Sequence, residues 1–327
     1  MERRRELLLS SWVLLAPFAT FAQPAARVRR IGVLGNLKQS AVASDLMPTF
    51  IATLRDLGWR EGQSFAFEYR FAEQRYERFP ELARELAELD VDLILVTAGT
   101  NAALAAKQST ATIPILAVGV GDPVKFGLVS SFARPGGNVT ALSQPIAEWG
   151  KFLELTREAV PGATRIAVMA NPLNVGYADY AAQMEAAARQ LGLKLQMISI
   201  TDIGGLATAF DVLKRGRAEA LVFAPDGVFF NNLAELLERA RTLQVPVIGP
   251  ISLAAEMGAL VSWGFDIRHV CRRAAAYADR ILKGTRPADL PVEQTTRFEL
   301  TVNLKTAREL GLTVSRSLLQ RADVVIE

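Results

Sequence analysis

The sequence predicts an α/β protein of two doubly wound parallel-sheet lobes joined by a three-segment hinge. Three observations predict it: an internal repeat, strands that read as short unbroken apolar runs, and a C-terminal tail with elements left over after two complete lobes. At 327 residues the chain is long enough to build two cores.

The repeat comes first. "RRIGVLGN" (29–36) and "TRIAVMAN" (164–171) share the pattern Arg-Ile-x-Val-x-x-Asn, and Ile31 and Ile166 stand 135 residues apart. Each is followed by a helical pattern closing on Leu-Gly, at Gly58 and at Gly192. Next come "DLILVTAGTNAALAAKQSTATIPILAVGVGDP" and "EALVFAPDGVFFNNLAELLERARTLQVPVIGP". Both read strand, loop, helix, proline, strand, with Pro114 and Pro246 132 residues apart. Coincidences kept in register along the chain indicate two similar βαβ-built lobes.

The runs "IGVL", "LILV", "ILAVGV", "IAVM", "ALVF" and "PVIG" are apolar without alternation. Strands buried on both faces of a parallel sheet, between helical layers, read this way. "FPELARELAEL" and "YADYAAQMEAAARQLG" supply amphipathic helices for those layers. Right-handed crossovers then gather the strand-to-helix loops of each lobe at the carboxyl edge of its sheet, where ligands bind in open α/β folds.

Past the second lobe, "GALVSWGFD" reads as a strand, "IRHVCRRAAAYADRILKG" as a long helix, and "RFELTVNLKTARELGL" as a strand and helix. A chain that crosses between lobes near residue 143 must cross back and return to place them. The expected division is residues 28–142 with 263–288 in one lobe, and 143–262 with 289–327 in the other. Lobes so joined close on a ligand like a clam shell.

The start of the chain has the layout of a secretory signal. Arg3, Arg4 and Arg5 precede an apolar stretch from Leu7 to Phe18 and a small-residue exit at Ala19–Ala22. Cleavage near Ala22 leaves 34 basic against 32 acidic residues, so the mature chain is nearly neutral. Nucleic acid is not an expected partner, and the expected location is the periplasm. The single Cys271 lies in a helical pattern and is expected to pack there.

The candidate site follows from the loops. "TAGTNAAL" places Thr97, Gly99, Thr100 and Asn101 ahead of a helix expected from Ala102, with Thr100 or Asn101 as its cap. Free amides and the positive end of the helix dipole favour an anion there. In "GVGDPV", Gly119 and Gly121 allow close backbone approach, and Asp122 is placed to take an ammonium or hydrogen-bonding group. The stretch lacks the glycine pattern of a dinucleotide loop. The matching edges of the repeat add Asn36, Asn171 and Asp226, and the hinge strand adds Trp263 and Phe265. His269 and Cys271, two positions apart in a helix, do not share a face. No nucleophile elbow or metal-spaced cluster occurs, so no catalysis, cofactor or metal is expected.

The tail from "LVSWGFDIRHV" to the C-terminus, the central "STATIPILAVGVGDPVKFGLVSSFARPGGNVT" and the early "LRDLGWREGQSFAFEYRFAE" together resemble one family. It is that of ABC-transporter substrate-binding proteins of the type I periplasmic fold, which includes tryptophan- and tyrosine-binding members. The resemblance spans residues 28–327 and departs from the family pattern at Asn101, where relatives commonly carry Pro, and at Trp263, where they carry Tyr. It implies a monomeric extracytoplasmic receptor that delivers a small organic solute, an amino acid or an aromatic or carboxylate compound, to a membrane permease driven by a separate ATPase. An exported α/β enzyme acting in the same cleft, or a ligand-sensing module, would share the architecture.

Overall fold

The computed structural model describes residues 27–36, 41–144, 149–294 and 298–327. The expected leader, residues 1–22, lies outside them, as do residues 145–148 and 295–297.

The first sheet contains β1 (Arg29–Gly35), β2 (Phe65–Phe71), β3 (Leu93–Val96), β4 (Ile115–Val120) and β5 (Val139–Ser143). The second contains β6 (Arg165–Ala170), β7 (Lys194–Ser199), β8 (Ala220–Phe223), β9 (Val247–Ile251) and β10 (Val261–Phe265). The strand β11 (Glu293–Gln294) returns to the first sheet, while β12 (Glu299–Asn303) and β13 (Val324–Ile326) complete the second. The orders are β2-β1-β3-β4-β5-β11 and β7-β6-β8-β9-β10-β12-β13. All neighbours pair parallel except β10 with β12. The two lobes thus repeat one doubly wound order, as the sequence repeat predicts. Each has its switch point where the first strand meets the third, β1 beside β3 and β6 beside β8.

Helices of the first lobe are α1 (Ala41–Asp56), α2 (Phe79–Glu88) and α3 (Gly99–Ser109). Those of the second are α4 (Gly150–Ala159), α5 (Tyr177–Leu191), α6 (Leu206–Arg215), α7 (Gly227–Asn231), α8 (Leu233–Thr242) and α9 (Ser252–Glu256). The tail adds α10 (Ile267–Leu282), α11 (Leu304–Glu309) and α12 (Arg316–Arg321).

Strand side chains alternate between two apolar layers. Ile31, Val33, Leu93, Leu95, Leu116 and Val118 pack in one core with Phe50 and Leu54 of α1 and with α10. Leu34, Ile94, Val96, Ile115 and Ala117 pack in the other with α2 and α3. Both faces being covered explains why these strands read as unbroken apolar runs.

The hinge boundaries differ from those expected at 263 and 288. Trp263, Gly264 and Phe265 stay in the second sheet, paired with β9 and β12. The chain crosses at Asp266, whose side chain accepts from the Arg268 N–H and caps α10. The helix α10 then lies on α1 of the first lobe, tied by Trp59 Nε1 donating to Asp279 Oδ1 at 2.8 Å. Residues 289–294 also stay with the first lobe: Thr140 donates to the Leu290 carbonyl at 2.8 Å, and β11 pairs with β5. Those bonds, absent from any apolar pattern, keep residues 289–294 with the first lobe, past the expected boundary at 288.

The repeat also carries matched tethers. Asp92, just before β3, accepts from the Arg30 N–H at 2.8 Å and pairs with Arg29. Glu219, just before β8, accepts from the N–H groups of Thr164 and Arg165 at 2.6 and 3.0 Å and pairs with Arg165. Each carboxylate fastens the start of its lobe's first strand to the strand beside it.

Candidate functional site

The carboxyl edges of the two sheets face each other across a cavity of about 180 Å³, small beside the roughly 300–1,000 Å³ of drug-sized sites. Loops from both switch points meet there. Asn36 follows β1, Thr97 to Asn101 follow β3, Asn171 follows β6, and Asp226 follows β8, and all of these line the cavity. Gly121 and Phe265 line it as well. Nine of the eleven expected positions therefore come together.

The other two do not. Asp122 Oδ1 accepts from the N–H groups of Val124 and Lys125, both at 3.0 Å, and so closes its own turn. A carboxylate two residues before free amides takes them more readily than a distant ammonium. Trp263 stacks on Phe298 at 4.3 Å between centroids and meets Phe152 edge-on at 5.4 Å, outside the cavity lining. Core packing claims it.

The β3–α3 loop is built differently from the sequence expectation. The helix begins at Gly99, not Ala102, and its N-cap is Ala98, which makes no side-chain bond. Gly99 has φ +76°, a left-handed turn that suits glycine, and it lets the helix start one turn early. Thr100 is not a cap. Its Oγ1 accepts from the Gly121 N–H at 3.0 Å, tying the two loops of the first lobe. The first-turn amides of α3 therefore face the cavity without a capping side chain, under the positive end of an 11-residue helix.

Asn101 reaches the other lobe. Its Nδ2 donates to the Leu173 carbonyl at 2.9 Å, and its Oδ1 accepts from the Val175 N–H at 3.2 Å. A Pro here, which the resemblance leads one to expect, would make neither bond. Tyr76 spans the cleft too, donating to Asp226 Oδ2 at 2.6 Å. Lys125 and Asp179 form an ion pair across it. These contacts describe lobes that are shut.

Asp226 is buried, 4% exposed. Oδ1 accepts from Val228 N–H at 2.9 Å and Asn171 Nδ2 at 3.2 Å, and Oδ2 accepts from Tyr76 OH and from Asn174 Nδ2 at 2.8 Å. Four donors fill the acceptor sites of one carboxylate. Burial and the Asp226 charge push the Tyr76 hydroxyl well above the usual tyrosine range, so it remains a donor.

The rest of the wall is mainly aromatic and apolar, with the side-chain amides of Gln144, Asn174 and Asn231 among it. Phe126, Trp149, Tyr177, Tyr180 and Phe230 line it, and among the described residues it carries no Lys, Arg or His. These positions escaped the sequence reading. Tyr177 and Tyr180 open "YADYAAQMEAAARQLG", where the pattern registers only as an amphipathic helix, and Tyr76 follows an edge strand that no apolar run announces. An aromatic pair in the first turn of the helix after a switch-point loop is the signal that was available. His269 lies outside the lining, and no three His, Cys, Asp or Glu among the described residues are grouped to hold a metal.

Comparison with known proteins agrees with this geometry. The chain is 26% identical over 263 residues to a tyrosine-binding protein of Clostridioides difficile, across 80% of this chain and 75% of that one. A Streptococcus pneumonia ABC domain in complex with L-Trp superposes with a TM-score of 0.81 at 21% identity, covering 92% of this chain and all of that one. A ligand-free, open substrate-binding protein of Clostridium difficile with adhesive properties gives 0.61 at 25% identity, over 92% and 99% of the two chains. The model of the ABC transporter substrate binding protein family matches residues 31–326. With two parallel-sheet lobes closing on one cavity, this chain belongs to that family, whose members capture a solute for an ABC transporter.

Proposed function

We propose that the solute is an amino acid with an aromatic or other apolar side chain, held between the lobes and handed to a membrane permease driven by a separate ATPase. The observation that carries this reading is the cavity wall. One end offers the start of α3 without a capping side chain, and the remainder is rich in aromatic rings and has no cationic side chain among the described residues. A carboxylate against the first-turn amides of α3 gains roughly 0.3–1 kcal/mol from the helix dipole, more where water is excluded. The aromatic walls accept a flat or apolar body. Thr97, Gly99 and Thr100 then belong to the carboxylate end. Asn171 and Asp226 contribute by holding the lobes together, not by binding the solute directly, because their polar groups already bond each other and Tyr76.

The protein acts in this reading as an exported monomer, its leader removed near Ala22. The basic n-region and apolar stretch of the first residues support export, and among the described residues no helix is long and apolar enough to cross a membrane. A thermal-shift screen of residues 23–327 against amino acids, aromatic acids and small carboxylates tests it. A ligand at about 100 times its Kd adds about 2.7 kcal/mol of stability. A clear shift confined to aromatic or apolar amino acids, with the compound recovered unchanged, is expected. A shift only with other solutes, or recovery of an altered compound, contradicts it.

A further inference from the structure

Tyr180 stands at the start of α5, its ring edge-on to Trp149 at 4.9 Å between centroids, with Trp149 stacked on Phe152 at 5.9 Å. The side chain lines the cavity and is 4% exposed. Its hydroxyl is shut off from solvent and has no hydrogen-bond partner among the described residues. Folded chains leave few such groups unsatisfied, and each one calls for an explanation. Burial holds this phenol protonated far beyond neutral pH, so it can both donate and accept.

Asn171 and Asn174, polar side chains of the second lobe on the same wall, are engaged elsewhere. Asn171 donates to Asp226 and accepts from the Leu173 N–H at 2.9 Å. Asn174 donates to Asp226 and accepts from the Gly176 N–H at 2.9 Å. Asp226 already holds four donors. Gln74 Oε1 is the other buried polar atom without a partner, but it does not line the cavity, and its amide nitrogen reaches Asn232. The hydroxyl of Tyr180, set among aromatic rings and beside the α5 N-terminus that Gly176 caps without a side-chain bond, is thus a fully buried polar group of a residue of this wall with no partner among the described residues of the shut protein.

We propose that Tyr180 is a specificity-determining residue, its hydroxyl making the hydrogen bond that reads a polar substituent on the solute's ring. The proposal rests on the interlobe cavity being the solute site. A solute with a hydroxyl or ring N–H there satisfies the buried phenol. The same framework without that group closes the lobes over an orphan, and sites built around a buried polar group reject such analogues.

Titration calorimetry of L-tyrosine and L-phenylalanine against the wild type and Tyr180→Phe, with the melting temperatures of both unliganded proteins, tests it. The wild type is expected to prefer L-tyrosine, and the substitution to narrow that preference about fivefold, the worth of one neutral hydrogen bond. The unliganded variant is expected to melt no lower than the wild type, because the lost hydroxyl bonded nothing. A preference that survives the substitution overturns the proposal. So does a melting temperature lowered by several degrees, which would assign the hydroxyl a structural partner. If neither amino acid binds the wild type, the amino-acid reading fails separately, and the melting comparison alone decides whether the hydroxyl is an orphan.

Discussion

Tyr76, on the first lobe, donates its phenolic hydrogen to Asp226 Oδ2, on the second, at 2.6 Å. The other three donors to that carboxylate, Asn171, Asn174 and Val228, all belong to the second lobe. One buried acid therefore organises the edge of its own sheet and receives the opposite lobe when the cleft shuts. Ligand affinity in such a protein includes the energy of closing, so contacts between the lobes tune binding without touching solute.

Tyr76→Phe removes that bond and keeps the ring. A hydrogen bond to a charged group contributes about 1.5–3 kcal/mol. Solute affinity is expected to fall about tenfold or more, chiefly through faster dissociation, as read by calorimetry and stopped-flow release. An unchanged dissociation rate would show that closure does not depend on Asp226.

Gly227 opens α7 on the second lobe, and a Cβ placed there would lie 2.5 Å from Asn36 Nδ2 on the first. Gly227→Ala therefore obstructs the shut form while sparing the open one. Affinity is expected to drop at least about tenfold, with the unliganded melting temperature not lowered, Ala being no worse a helix former than Gly. Equal loss of both would place the glycine's role in folding.

Trp263→Ala opens a hole between Phe152 and Phe298. Large aromatic truncations in a core cost about 3–5 kcal/mol, and this half-buried ring is expected at the lower end, about 3 kcal/mol. Denaturant midpoints check the loss. A stable variant with impaired binding would return Trp263 to the solute site.

Asp92 and Glu219 set the response to acid. Burial alone would raise the Asp92 carboxyl, but the Arg30 N–H, Arg29 and Arg27 outweigh it and hold it below the usual range. The N–H groups of Thr164 and Arg165, with the Arg165 charge, hold Glu219 low as well. A depressed carboxyl contributes stability above its unfolded pKa, roughly 4, and loses it as pH falls through the folded value. Asp92→Asn is expected to be least stable relative to wild type at neutral pH, with the gap narrowing as pH falls below the unfolded carboxyl value of roughly 4 and closing once the folded carboxyl is protonated. Urea midpoints across that range check it, and a gap that persists in acid would assign Asp92 a role other than charge.

The two-lobe fold was legible because its strands are buried on both faces, which leaves unbroken apolar runs, and because the repeat kept Asn36 in step with Asn171. The switch-point loops followed from topology, and they do line the cavity. What escaped was decided by side-chain direction. Asp122 and Trp263 sit one residue beyond and two before positions that line the cavity, Gly121 and Phe265, and periodicity does not say which way a loop carboxylate turns. Tyr76 and Tyr180 look like ordinary helix and loop residues until the lobes are brought together. Asn101 lines the cavity, but it bridges the lobes instead of capping a helix.

Small-angle X-ray scattering of the protein with and without the solute found in the screen tests capture by closure most directly. Saturation, established by calorimetry on the same sample, is expected to reduce the radius of gyration toward that of the shut structure described above. A saturated protein whose radius of gyration stays that of the unliganded, open form would contradict it.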